Sequence, residues 1–151
     1  MEFEKKLNHF DEMVRESALK QIAQRLKTGE ITTPSEMDVV NMHCHSFHSF
    51  NGYGYSPSAL AWLAKREGYK VIGIVDFDTL DGVDEFLYAC DILGVRASAG
   101  IETRSYIPEF SDRVINSPGE PGAIDSVVLA LPPRCVPDES FPILEDMQIR
   151  V

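Results

Sequence analysis

The chain has 151 residues, with 24 acidic side chains against 14 basic ones and a formal net charge of -10 at pH 7. That length bounds it to one domain, and that charge leaves no basic face for nucleic acid or an anionic membrane. Hydrophobic residues at 44% and charged residues at 25% are ordinary globular values, so a packed core is expected rather than a disordered chain.

In chain order, Phe3, Leu7, Phe10, Val14, Ala18, Ile22 and Leu26 recur at spacings of three and four, which predicts one amphipathic helix ending near Gly29. After Pro34 the pattern changes. Asp38 to Met42 reads as a short strand, and Ser56-Pro57 opens a helix that runs to Gly68. Val71, Ile72, Ile74 and Val75 form the nearly continuous apolar run of a buried parallel strand, and Asp81 to Leu93 follows as a helix with Val83, Phe86, Leu87 and Cys90 inward. Val95 to Ile101 supplies a third strand and Ile124 to Leu131 a fourth, separated by a loop rich in Pro and Gly. Strands alternating with helices imply an α/β parallel sheet. Beyond Leu131, four prolines without a clear period predict an irregular tail.

The longest apolar stretches are too short to span a bilayer, and Met1 to Lys6 does not lead into a signal-peptide core; a cytoplasmic protein is expected. Cys44, Cys90 and Cys135 are odd in number with no C-x-x-C pair, which fits reduced thiols.

Asn41-Met42-His43-Cys44-His45-Ser46 carries the most chemistry. In an extended strand His43 and His45 point to one side and Cys44 to the other. Two imidazoles so placed can chelate a divalent ion, although the pair alone fits two ordinary strand-end histidines equally well. The second strand ends in Val75-Asp76-Phe77-Asp78-Thr79 and the third in Gly100-Ile101-Glu102-Thr103, so three successive strands deliver metal-competent side chains at their carboxyl ends. That is where α/β sheets and barrels build their sites. Convergence of His43, His45 and Glu102 would suit zinc, manganese or iron. Asp76 is expected beside the metal, orienting an imidazole or binding a metal-bound water. Asp78 is expected to cap the following helix, and Asp84, Glu85 and Asp91 to form a solvated helix face.

These three segments, with Asp76-Phe77-Asp78-Thr79-Leu80-Asp81-Gly82 as the second, resemble the leading motifs of the PHP (polymerase and histidinol phosphatase) domain, whose pattern runs D-L-H-x-H-[ST]-x-x-S-D-G, then T-D-H-D-T, then G-I-E. The resemblance covers about residues 38 to 104. It implies a distorted β/α barrel that hydrolyses phosphoesters by metal-activated water, using up to three divalent ions. On this chain His43, His45 and Glu102 would hold the first metal, Glu102 would bridge to a second, and Arg104 would either clamp a phosphate oxygen or remain a solvated charge.

The sequence departs from that pattern at Phe77, where the family has histidine, and in Ser49-Phe50-Asn51-Gly52, where it has S-D-G; both changes would remove the same third metal. His48 is near enough in sequence to substitute, or is a loop histidine. No histidine follows His48, so the second metal lacks its imidazoles, and the first lacks its late aspartate unless Asp112 or Asp125 serves. A closed β/α barrel takes about 200 residues or more, and the segment after Pro34 holds roughly three and a half βα units. The expectation is therefore an N-terminal helix and linker over 1–34, an incomplete PHP-like α/β barrel over 35–131 and a tail over 132–151. Such a half-barrel would be a fragment or would self-associate or take a partner. The function expected is metal-dependent hydrolysis of a small phosphorylated substrate. The rivals are a non-catalytic PHP-derived structural or regulatory module and another H-x-H metallohydrolase such as an amidohydrolase.

Overall fold

A computed structural model describes residues 2–130. The expected tail over 132–151, and Cys135 within it, lie outside the described residues. The elements are helices α1 (Glu2–Lys6) and α2 (Glu12–Lys27), strand β1 (Val40–Cys44), helix α3 (Pro57–Arg66), strand β2 (Val71–Phe77), helix α4 (Val83–Leu93), and strands β3 (Arg96–Tyr106) and β4 (Ala123–Ala130). The sheet order is β1-β2-β3-β4, a curled four-stranded half-barrel with helices on its outer face. Among the described residues no helix is long and apolar enough to cross a membrane.

The N-terminal periodicity is interrupted. One helix from Phe3 to Gly29 is expected, but the chain turns at residues 7–11 because Asp11 starts a second helix, its carboxylate accepting from the Met13 amide. Phe10, which the periodicity places inward, is 90% exposed as a result. The turn is fastened to the start of α3: Ser56 donates its amide to Asn8 Oδ1 at 2.8 Å and its hydroxyl to the Leu7 carbonyl. Leu7, Ala18, Leu19 and Ile22 then join Trp62, Ile74, Phe86 and Cys90 in one hydrophobic core. The first two helices are therefore part of the helical layer over the sheet.

A buried ion pair ties that layer together. Arg15 on α2 grips both carboxylate oxygens of Glu85 on α4 through its Nε and Nη2, and Glu85 also accepts from the Ser58 amide and hydroxyl on α3 at 3.1 and 2.7 Å. Arg15 further donates to the carbonyls of His9 and Phe10. Glu85 is thus a cross-brace between three helices, a correction to the solvated face expected for it. The helical period was right, but only tertiary packing shows that its face meets an arginine from another helix.

β1, β2 and β3 run parallel, whereas β4 is antiparallel to β3, from Tyr106↔Ala123 to Ala99↔Ala130. This corrects the all-parallel expectation. A parallel return needs a crossover, usually helical, and the β3–β4 connection holds only a three-residue 3-10 turn at Pro108–Phe110. Its base closes as a hairpin, with Ile107 donating to the Gly122 carbonyl at 2.8 Å. β3 also extends to Tyr106, past the expected end at Ile101, because β4 pairs with the extension.

Side chains alternate across the sheet. Ile72, Ile74 and Ala99 enter the core beneath the helices, and the residues between them, including Val75, Phe77 and Glu102, face the other side. Cys44 pairs with Ile74 and shares its face, so the flanking His43 and His45 share the face of Glu102. The β1–β2 register slips by one residue, since Asn41 pairs with Ile72 and Cys44 with Ile74. Such a bulge re-aims side chains, and Gly73 opposite it makes the slip possible: a Cβ there would lie 2.8 Å from the Met42 carbonyl oxygen and 2.9 Å from its Cα.

Candidate metal centre

His43 and His45 at the end of β1 meet Glu102 on β3 across the intervening β2. Both Nε2 atoms approach the same carboxylate oxygen, Glu102 Oε2, at 3.1 Å from His43 and 3.3 Å from His45. One donor atom from each of the three lies within 4.8 Å of the others. The burial is graded: the His45 and Glu102 side chains are 11% and 10% exposed, and that of His43 is 54% exposed. Two of the three candidate ligand side chains are thus largely buried and the third is exposed at the rim.

The residues fit a divalent cation. Two neutral imidazoles and one carboxylate form a common N/O donor set. Among the described residues His45 Nδ1 is buried without a hydrogen-bond partner, so the ring is held by the Glu102 contact at Nε2 and by packing. Phe77 stacks on it with centroids 5.6 Å apart and planes 18° from parallel. The position where the resembled family carries a histidine is here the hydrocarbon floor of the site.

Asp76 does not join the cluster through a hydrogen bond to either imidazole. It is buried, and both its oxygens accept from Ser46, Oδ1 from the amide at 2.5 Å and Oδ2 from the hydroxyl at 2.6 Å. Ser46 Oγ accepts in turn from the His48 amide. Asp76 therefore anchors the loop that follows His45. A second tie comes from Ser49, whose Oγ accepts from the Phe77 amide at 3.1 Å and contacts Asn51 Oδ1 at 2.5 Å. At Gly52 a Cβ would fall 2.0 Å from the Ser46 carbonyl oxygen, so glycine is required where the loop folds back. The sequence already marked this stretch as a motif; its service as a latch on β2 emerges only from the fold.

Asp78 does not cap α4. The residue before that helix is Gly82, with no side-chain cap, and Asp78 accepts from Thr103 Oγ1 at 2.7 Å while its amide donates to the Glu102 carbonyl at 2.8 Å. This corrects the expected cap: Asp78, at φ 54°, braces the Glu102 carbonyl and the Thr103 hydroxyl just after the Glu102 side chain. Arg104 is held by Asp125 at 2.9 Å and Glu120 at 3.0 Å, and the Asp125 hydrogen bond and the Glu120 charge raise its already high pKa. Asp125 also accepts from Ser117. Neither it nor Asp112 joins the metal-competent cluster among the described residues. His48 stacks on Phe47 at 4.5 Å and also lies outside it. Burial raises the Cys44 thiol and pushes that of Cys90 up to about 12, so both behave as packed thiols rather than ligands.

Fold and site together define a curled α/β half-barrel with a candidate His/His/Glu metal centre at the strand ends. No protein-family model and no curated protein matches the chain. Among solved structures it is similar to a "putative metal-dependent phosphoesterase" from Bifidobacterium adolescentis, with 21% identity and a TM-score of 0.48, over 64% of this chain. The chain spans 29% of that protein's length.

Proposed function

We propose that the chain is a PHP-like, metal-dependent phosphoesterase half-barrel in which His43, His45 and Glu102 hold one divalent ion, with zinc, manganese and iron as the chemically suited metals. The observation that carries this is the convergence of both imidazole Nε2 atoms on one Glu102 oxygen, in the residue order that resembles the PHP motifs. A divalent ion held there would supply Lewis-acid activation of water and neutralise charge on the phosphate ester. His45 and Glu102 fix the position of that chemistry, and His43, at the rim, leaves the approach open. Asp76 is a positioning residue that acts through Ser46. Arg104 serves as a phosphate clamp only by exchanging Glu120 or Asp125 for the substrate.

That last requirement favours a second reading, a PHP-derived module that binds one metal without turnover. Phe77 in place of a ligand, and the absence of Asp112 and Asp125 from the cluster, point the same way. In either reading the open sheet, with Val127, Val128 and Leu129 exposed on β4, calls for self-association or the remainder of a barrel.

The test is elemental mass spectrometry of the purified chain beside His43→Ala and His45→Ala, followed by phosphomonoester and phosphodiester hydrolysis assays. About one equivalent of zinc, manganese or iron, lost in both variants, together with hydrolysis lost in parallel, supports the enzyme. One equivalent without turnover supports the binding module. A folded chain that takes up no metal when it is supplied refutes both.

A further inference from the structure

We infer that Phe47 is a positioning residue for His45, and that through it the N-terminal helices, Arg15 above all, belong to the metal centre. The inference rests on the metal-binding reading above and adds to it what aims the less exposed of the two imidazoles.

A ligating imidazole is ordinarily aimed by a hydrogen bond from its second nitrogen to an acceptor. His45 has no such bond among the described residues, since its Nδ1 is buried without a partner. Glu102 meets its Nε2 and Phe77 stacks against its ring; the rest of its aim comes from the backbone that carries it. That backbone leaves β1 at Cys44 and enters a loop whose base closes just past His45, where the Phe47 amide donates to the Tyr55 carbonyl at 2.7 Å.

The base of this loop is held from two directions. On the sheet side, Asp76 accepts from both the amide and the hydroxyl of Ser46. On the helix side, the Phe47 ring lies 5.3 Å from the Arg15 guanidinium, meets Phe10 edge-on at 6.1 Å and stacks on His48 at 4.5 Å. Arg15 is itself immobilised: it is 4% exposed, with Nε and Nη2 on Glu85 and Nη1 on the carbonyls of His9 and Phe10. A guanidinium tied in this way presents one fixed planar face, and a desolvated cation–ring contact is stronger than an exposed one. The far end of the loop is fastened to the same helical pair, because Ser56 bonds to Asn8 and to the Leu7 carbonyl. The segment that follows His45 is thus referenced at both ends to the turn between α1 and α2, and Phe47 is the contact nearest the ligand.

The test measures zinc affinity by competition with a chelating indicator, and the visible spectrum of the cobalt(II)-loaded full chain. The variants are Phe47→Leu, Phe47→Tyr and, as a packing control, Ile22→Val in the buried face of α2. Phe47→Leu keeps apolar bulk but offers Arg15 and His48 no ring. It should weaken zinc binding about tenfold, the low end of what residues that orient a ligand contribute, and change the cobalt bands, which report ligand geometry. Phe47→Tyr keeps the ring and should match the wild type in both readouts, as should Ile22→Val. If Phe47→Leu does not fold, Phe47→Met, whose unbranched chain fills irregular gaps, takes its place with the same expectation. Wild-type affinity and spectrum in the ring-less variant, or an equal loss in Phe47→Tyr or Ile22→Val, overturn the inference while leaving the metal centre standing. A wild-type chain that takes up neither zinc nor cobalt fails at the centre itself and takes this inference with it.

Discussion

Replacing Asp76 separates a carboxylate that works on the metal from one that works on the backbone. Ser46 is fully buried, and its amide and hydroxyl both donate to Asp76. Asp76→Ala leaves two buried donors without acceptors, each at a cost of about 1–3 kcal/mol, so the chain should lose about 2–6 kcal/mol. Against the 5–15 kcal/mol typical of a folded domain, that is a large share. Asp76→Asn is milder. Its amide oxygen accepts from the Ser46 amide, and its NH2 group donates to Ser46 Oγ, which has a lone pair left after accepting from His48. What is lost is the charge assistance and one hydroxyl proton's partner, about 1–2 kcal/mol. The assay is urea denaturation of the metal-free chain followed by circular dichroism, with Ser46→Ala and the double variant completing a cycle. Strong non-additivity is expected, because the two residues share their bonds. If Asp76→Asn instead matches the wild type in stability while abolishing metal uptake, the carboxylate acts on the metal and the anchoring argument is refuted.

Two further predictions concern the scaffold. Arg15→Ala should cost about 3–5 kcal/mol at neutral pH by leaving Glu85 buried and unpaired. Burial opposes ionisation of Glu85, but the hydrogen bonds and charge of Arg15 and the bonds from Ser58 outweigh it and hold the carboxyl below its ordinary range. The stabilisation from this pair is therefore present above the ordinary carboxylate pKa and is lost as pH falls through the depressed one; the gap between wild type and Arg15→Ala in urea should narrow on acidification, and a gap constant down to pH 3 would refute the brace. Gly52→Ala should displace the Ser46 carbonyl at a cost of about 1–3 kcal/mol and weaken metal retention, while helical circular dichroism is kept. Unchanged stability and metal content would show that the loop has room the structure denies it.

How much of this was legible in the sequence depends on how local each signal is. α3 could be placed from Ser56-Pro57 because an N-cap and a first-turn proline act within one turn, and β2 from its apolar run because a central strand is buried on both faces. The proximity of the candidate trio was legible because strand alternation puts His43 and His45 on one side, and parallel order brings Glu102 to the same end. What escaped depends on contacts between distant segments. The Ser46 bonds to Asp76 appear only when the fold brings the two together, Glu85 reads as solvated until Arg15 arrives from a helix 70 residues earlier, and β4 reads as parallel because apolar alternation carries no direction. The broken N-terminal helix is a local miss: Asp11 is a plain cap signal, overridden in the reading by a longer period.

The one-residue slip in β1 has a consequence for anyone who would move this centre elsewhere. Parity along the strand inverts at the slip, so the residues before it and the histidines after it count their faces from different origins. An H-x-H graft onto an uninterrupted strand would import the spacing without the phase, and the imidazoles would be aimed correctly only by chance. The portable unit is larger than the motif: it comprises the irregular turn of backbone at Met42 and, 31 positions downstream on a separate strand, the side-chain-free Gly73 that gives it room.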